Sequence, residues 1–202
     1  MGSGLHDAAA RGFPGAAAAY EEGRPTYPPK AVARLARELH LGVGRAVLDL
    51  AAGTGKLTAL LVGTGAKVVA VEPVPEMRAV LERALPGVPA LSGTAEAIPL
   101  GSATVDAVCA GQAFHWFRGD EALREIHRVL KPGGRLLVLD HVRSPIAPVR
   151  WIQRTIEPLV ASYAGWHLTR DPLDYVESTG FTVESCSRSR LGMIEELVAR
   201  KN

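Results

Sequence analysis

Two apolar runs restrict what this chain can fold into: VLDLAAGTG at 47 to 55, which enters a glycine-rich turn, and VVAVEP at 68 to 73, which ends in an acid. Neither run alternates polar with apolar residues, as expected of strands covered on both faces. The stretch between them, from about Lys56, has the length of a helix, so the unit reads as βαβ. Gly53 and Gly55 lack a Cβ and let the backbone approach a ligand closely. An acid about 20 positions further on, here Glu72, is placed to accept both hydroxyl protons of a ribose.

What the turn lacks narrows the ligand. A dinucleotide fingerprint wants a third glycine at position 58, so that the helix packs close under a pyrophosphate, and this chain has Thr58. The string GTGK suggests a phosphate loop, but that motif needs glycine at 50 and a hydroxyl residue at 57, where Leu50 and Leu57 stand. Hydride-transfer and triphosphatase chemistry are therefore disfavoured.

The rest of the chain repeats the alternation. Strands are expected at about 45–50, 67–72, 88–92, 104–109 and 134–140, with helices at about 31–40, 56–64, 75–85 and 120–130, the last stopping before Pro132-Gly133-Gly134. Asp171 reads as an N-cap with Pro172 behind it, opening a helix that runs to 179 and ends at Gly180. FTVESCSRS and EELVARKN suggest two last strands joined near Gly192. The expected fold class is α/β, a doubly wound, seven-stranded, mostly parallel sheet with a C-terminal antiparallel hairpin, and its ligand crevice lies at the carboxyl ends of the first strands.

With 202 residues, 47% of them hydrophobic, the chain has the size of one domain spanning 1–202. Lys and Arg number 23 against 21 Asp and Glu, and the two signs are interspersed, so no nucleic acid partner is expected. No membrane-length apolar run or signal peptide is evident, and Cys109 and Cys186 read as buried free thiols of a reducing, cytoplasmic setting. The histidines and cysteines share no ligand spacing, and no metal is expected.

The form D-x-A-x-G-T-G with an acidic end to the next strand resembles the cofactor loop of class I S-adenosylmethionine (SAM) dependent methyltransferases. The resemblance continues through SGTAEAIPL at 92–100, VDAVCAGQAFHWF at 105–117 and LKPGGRLLVLD at 130–140, and points to the methyltransferase type 11 group with a Rossmann-like sheet. Y-x-x-x-R-P-T-Y-P at 20–28 is similar to trans-aconitate methyltransferase-like proteins. DHVRSP at 140–145, the Trp151–Pro158 segment and HLTRD at 167–171 are more similar to methyltransferase-like thiol and alkyl methyltransferases.

The resemblance implies SAM as cofactor, S-adenosylhomocysteine (SAH) as product and a small-molecule acceptor. It implies that the backbone around Ala51, Gly53 and Gly55 holds the methionine part, that Glu72 and the neighbouring Pro73 meet the ribose, and that Met77 packs on the adenine, bordered by Thr94, Ala95 and Glu96. Asp49 would meet the ammonium directly or through water, Arg24 the carboxylate through its paired donors, with Tyr20 beside it, and Gln112 would close the cofactor side. At the acceptor edge stand Phe114, Trp116 and His141, with His115 as candidate general base because imidazole titrates near neutral pH. Asp140 and His141 form a second candidate pair, yet neighbours on a strand point to opposite faces, so a direct dyad between them is not expected.

Two further segments, 5–30 and 142–170, would roof the acceptor pocket, the second through a helix carrying Trp151, Ile152, Ile156, Leu159 and Tyr163 and bent at Pro158. A monomer or a homodimer is compatible with such a face. The expected activity is methyl transfer to oxygen, sulfur or carboxylate of a small molecule. The alternatives are a non-catalytic SAM or SAH binding module and a methyltransferase acting on RNA or protein.

Overall fold

The computed structural model describes residues 29–142, 144–164, 172–189 and 194–202. Seven strands form one sheet in the order β3-β2-β1-β4-β5-β7-β6. They are β1 (Ala46–Leu50), β2 (Lys67–Val71), β3 (Ala90–Leu91), β4 (Val105–Gly111), β5 (Leu130–His141), β6 (Phe181–Ser189) and β7 (Ile194–Lys201). The first five are parallel, and β7 enters antiparallel between β5 and the edge strand β6. Helices α1 (Pro29–Glu38), α2 (Lys56–Val62), α3 (Pro75–Ala84), α4 (Gly119–Val129), α5 (Ala147–Ala164) and α6 (Leu173–Val176) fill the connections.

Alternation along the central strands divides the core between the two faces of the sheet. Leu48, Leu50, Val108, Ala110, Leu136 and Val138 join Leu123, Ile126 and Val129 of α4 in one cluster. Val47, Ala107, Cys109 and Leu137 point the other way, against Leu39 and against Leu57 and Leu61 of α2. Each of the buried Leu, Ile and Val side chains contributes roughly 1.5–3 kcal/mol. Asp49 shares the parity of Val47 and so lies under α2.

The amino ends of the strands are tied by one acid. Asp106 accepts from the Ala46 amide at 2.8 Å, from Arg45 Nη1 at 3.0 Å and from Lys131 Nζ at 3.0 Å. Burial alone would raise its proton affinity, but these three donors outweigh it and hold the carboxyl below its usual range. This end of the sheet is a stability device, and the opposite end is left for ligands.

Several expectations are corrected here. The helix expected over 171–179 is one turn, Leu173–Val176, tightening into a 3₁₀ turn over Glu177–Thr179 before Gly180 at φ 85°. Strand β5 begins at Leu130, so the Pro-Gly-Gly segment belongs to the strand and not to a loop before it. Cys186 is exposed on β6, whereas Cys109 is buried. The turn expected near Gly192 and the cap at Asp171 lie outside the described residues.

Candidate active site at the carboxyl ends of the strands

The sheet reverses its winding between β1 and β4, and the turn that leaves β1 there is built from backbone conformations that side chains rarely adopt. Ala51 has φ 56°, Gly53 60° and Gly55 92°, and Gln112, which follows β4, has φ 53°. Left-handed geometry at the non-glycine pair Ala51 and Gln112 costs on the order of 1–3 kcal/mol each and must be held by its surroundings. Ala52 donates to Val71 O at 3.1 Å and Gln112 to Leu139 O at 2.6 Å, which fixes both turns to neighbouring strands.

The two glycines do different work. A Cβ on Gly53 would meet only Met77 Sδ, 4.0 Å away, so this position faces open space toward α3. A Cβ on Gly55 would stand 2.9 Å from Leu81 Cγ, so here glycine is required by helix packing as well as by its φ. Gly55→Ala is expected to destabilise the protein by about 1–3 kcal/mol, combining strain and overpacking, which urea denaturation measures.

Beyond β2, Glu72 is pre-set by the same turn. Its Oε2 accepts from the Gly53 amide at 2.8 Å and its Oε1 from the Val74 amide at 2.9 Å. Each oxygen thus keeps a lone pair for a further donor, the geometry a ribose diol needs. Burial raises the proton affinity of this carboxyl, opposed by the two amides and by Arg78, whose Nη1 donates to Glu72 O at 2.8 Å. Pro73 follows directly, and Met77, 4% exposed, lies on the next helix.

Asp49 is sealed under the turn at 1% exposure and accepts from Thr58 Oγ1 at 2.6 Å. Desolvation raises its pKa to about 7, the Thr58 hydrogen bond opposes the rise, and the charge of Glu72 adds to it. The carboxylate expected to meet a ligand ammonium, directly or through water, is thus buried and held by Thr58.

The loop carrying Thr94, Ala95 and Glu96 is pinned to α4. Glu125 Oε2 accepts from Ile98 N at 2.9 Å, and Arg128 donates to the Ile98 and Leu100 carbonyls at 2.9 and 2.7 Å. Ala95 is buried, and Thr94 bridges Ala97. Glu96 Oε1 accepts from Arg118 N at 2.8 Å at the start of α4, so its carboxylate has a structural engagement that the sequence did not suggest.

At the acceptor edge the structure forms a dyad between distant residues. Asp140, 1% exposed, accepts from the His115 amide at 2.9 Å through Oδ2 and meets His115 Nδ1 at 2.7 Å through Oδ1. Assigning the Nδ1 proton to this bond makes Nε2 the basic nitrogen. Trp116 lies tilted against the imidazole with ring centroids 5.2 Å apart. Across the antiparallel ladder Asp140 faces Glu195, and the like charges are separated by different partners, since Glu195 pairs with Arg188 Nη2 at 2.7 Å.

Phe114 needs correction: it is 1% exposed and packs edge-to-face on Phe117 in the core, so it supports the turn and does not meet an acceptor. The apolar face of α5 is also not closed as expected, with Trp151 68%, Ile152 52% and Ile156 41% exposed. What anchors α5 is Gln153, whose amide donates to Val142 O at 3.0 Å and accepts from Ser144 N at 2.8 Å. His141 ends β5 and Tyr163 stands near the end of α5, but their side chains, like Tyr20 and Arg24, lie outside the described residues.

The pairings of Asp140 with His115 and of Thr58 with Asp49 are the contacts that sequence reasoning missed. Thr58 sits three residues into a helix that must cross the end of β1, which was a usable signal. Asp140 had none, because its partner is 25 positions away and depends on strand order. Among the described residues no group of three or more His, Cys, Asp or Glu is placed to hold a metal ion, and no helix is long and apolar enough to cross a membrane.

Residues 48–138 match the family model described as a methyltransferase domain. An uncharacterized methyltransferase of Mycobacterium tuberculosis is 55% identical over 124 residues, covering 61% of this chain and 49% of that protein. The ubiquinone/menaquinone biosynthesis C-methyltransferase of Rubrivivax gelatinosus is 44% identical over 99 residues, 48% of this chain and 39% of that one. The chain thus spans about half the length, or less, of these curated relatives. In structure it is similar to an S-adenosylmethionine dependent methyltransferase of Mesorhizobium loti, with TM-score 0.70 at 18% identity over 85% of this chain and 96% of that chain.

Proposed function

We propose that this chain is a class I SAM-dependent methyltransferase that transfers a methyl group to a small-molecule acceptor, a reading supported by the methyltransferase-domain match over residues 48–138 and by the curated relatives. The observation that carries this reading is Glu72, with both oxygens oriented by turn and helix amides beside the open face of Gly53. Those residues fit the family's cofactor: Glu72 would hold the ribose, the Ala51–Gly55 backbone the methionine part, and Met77 with the Thr94–Glu96 loop the adenine. When bound, SAM supplies an electrophilic methyl group on a sulfonium, open to in-line displacement. Tyr20 and Arg24 complete the carboxylate end in this proposal, and segments 5–30 and 142–170 narrow the acceptor pocket.

His115 is proposed as the base that takes the acceptor's proton at Nε2, with Asp140 holding Nδ1–H and so the tautomer. Trp116 and the end of β5 at His141 border the acceptor. The candidate nucleophiles are thiol, hydroxyl and carboxylate, and the naming of one relative as a C-methyltransferase adds carbon nucleophiles to the panel. His115→Ala is expected to lower the transfer rate by about 10²–10⁴, with SAM affinity unchanged within about twofold. Asp140→Asn is expected to reduce the rate less and to move the acid limb of the pH–rate profile, since an amide NH₂ toward Nδ1 would drive the ring proton to Nε2. Unaltered rates in both variants would remove the dyad from the reaction.

Calorimetric titration with SAM, SAH and NAD in parallel tests the proposal before any acceptor is known. Saturable binding of the two sulfur nucleosides without NAD is the expected result, followed by methylated product in an acceptor screen. Binding of NAD alone, or of none of the three, would overturn it.

A further inference from the structure

Among the described residues, Asp49 is a buried acid near the turn whose role the proposed reaction leaves open. It is 1% exposed on the strand that runs into the Ala51–Gly55 turn, and it feels the charge of Glu72, which accepts from the Gly53 amide beside that glycine's open face, so it lies in a low-dielectric layer close to that face. A charge added on that face is felt strongly through such a medium. Three elements meet the carboxylate. Thr58 of α2 gives it a hydrogen bond at 2.6 Å, Glu72 beyond β2 repels it, and Cys109, its register partner on β4, is kept a neutral thiol by burial and by Asp49 itself. Arg78 of α3 is committed to the Glu72 carbonyl.

Cofactor and product differ by one unit of charge. SAM carries ammonium, carboxylate and sulfonium, and SAH carries only the first two. We propose that Asp49 exchanges a proton with solvent in step with that charge, ionised when the sulfonium ligand is held and protonated when the thioether is, so that it favours cofactor over product at the same site. On binding of SAM the Asp49 proton leaves to solvent, and with SAH in place one proton returns from solvent. The buried carboxyl suits this role because it titrates at about 7 in the ligand-free protein, so either state is accessible near neutral pH. The inference rests on the reading of this chain as a SAM-binding protein.

The test is calorimetric titration of the full chain with SAM and with SAH between pH 6 and 7.5, below the titration of the ligands' own ammonium near about 8. Repeating each titration in buffers of different ionisation enthalpy counts the protons released. In the wild type, SAM is expected to release more protons than SAH at pH 6.5, and the SAM-to-SAH affinity ratio to rise severalfold, at most about tenfold, across the window. Asp49→Asn should abolish both differences and leave the ratio near its acid value. Thr58→Val, which removes a hydrogen bond that favours the ionised form, should move the rise to higher pH while keeping its end points, an effect that a packing role for Thr58 does not produce. Equal proton counts with a flat ratio in the wild type, or an unaltered pH dependence in Asp49→Asn, would overturn the inference and leave the SAM-binding reading intact. Failure of both ligands to bind at every pH would overturn the SAM-binding reading and this inference together.

Discussion

Glu72→Gln is expected to weaken SAM binding by about 1–3 kcal/mol, roughly five- to 150-fold, although the replacement is isosteric. The reason is the direction of the bonds around the carboxylate. Both oxygens accept from backbone amides, Gly53 on one side and Val74 on the other. An amide side chain must turn its NH₂ toward one of them, so a donor faces a donor and one turn is released. Glu72→Ala should lose at least as much, because both amides then lack their acceptor. Titration of the two variants with SAM measures the effect, and affinities equal to the wild type would take Glu72 out of the cofactor site. The same variants should leave NAD as poor a ligand as before.

Asp49→Asn is expected to stabilise the folded chain at pH 8 by about 4 kcal/mol while giving little or nothing at pH 4. Asp49 has its ordinary value of 3.8 when unfolded and about 7 when folded. Below 3.8 both states are protonated and the group contributes nothing. Between these two values the unfolded chain ionises while the folded one retains its proton, so the unfolded state binds fewer protons and stability falls as pH rises. Above about 7 the penalty is complete. Asparagine never pays it, and it still accepts from Thr58. Urea denaturation of both proteins at pH 4 and pH 8 checks the sign, and parallel stability curves would show that Asp49 is not a buried burden.

Much of the site was legible because it is local. VLDLAAGTG and VVAVEP carry their own strands, and the acid at the end of the second run reaches back to the turn that follows the first. The doubly wound, mostly parallel sheet followed from the same alternation, with an antiparallel pair made from the tail. What escaped depended on side-chain direction across the sheet. Asp140 was weighed with its neighbour His141, but its carboxylate turns to His115 on the next connection. Phe114 sits in an aromatic string that reads as an acceptor edge, and only the 3₁₀ turn over Phe114–Trp116 shows it turning inward while His115 turns to Asp140. Cys186 was misassigned: it lies exposed on the edge strand β6, beyond a register shift between Val183 and Ser185 that simple alternation does not reveal. The apolar residues of α5 have helical spacing, but spacing does not say what covers them, and the anchor proved to be the polar Gln153.

Strand β7 follows β6 in sequence, yet it lies between β5 and β6. During synthesis, therefore, the 12-residue strand β5 has no neighbour on one side until residues 194–201 leave the ribosome. A nascent chain ending anywhere before that point presents a long unpaired edge beside Leu136 and Val138, the type of template on which chains pair with one another. Truncation before Ile194 should therefore yield insoluble protein, not a slightly destabilised domain.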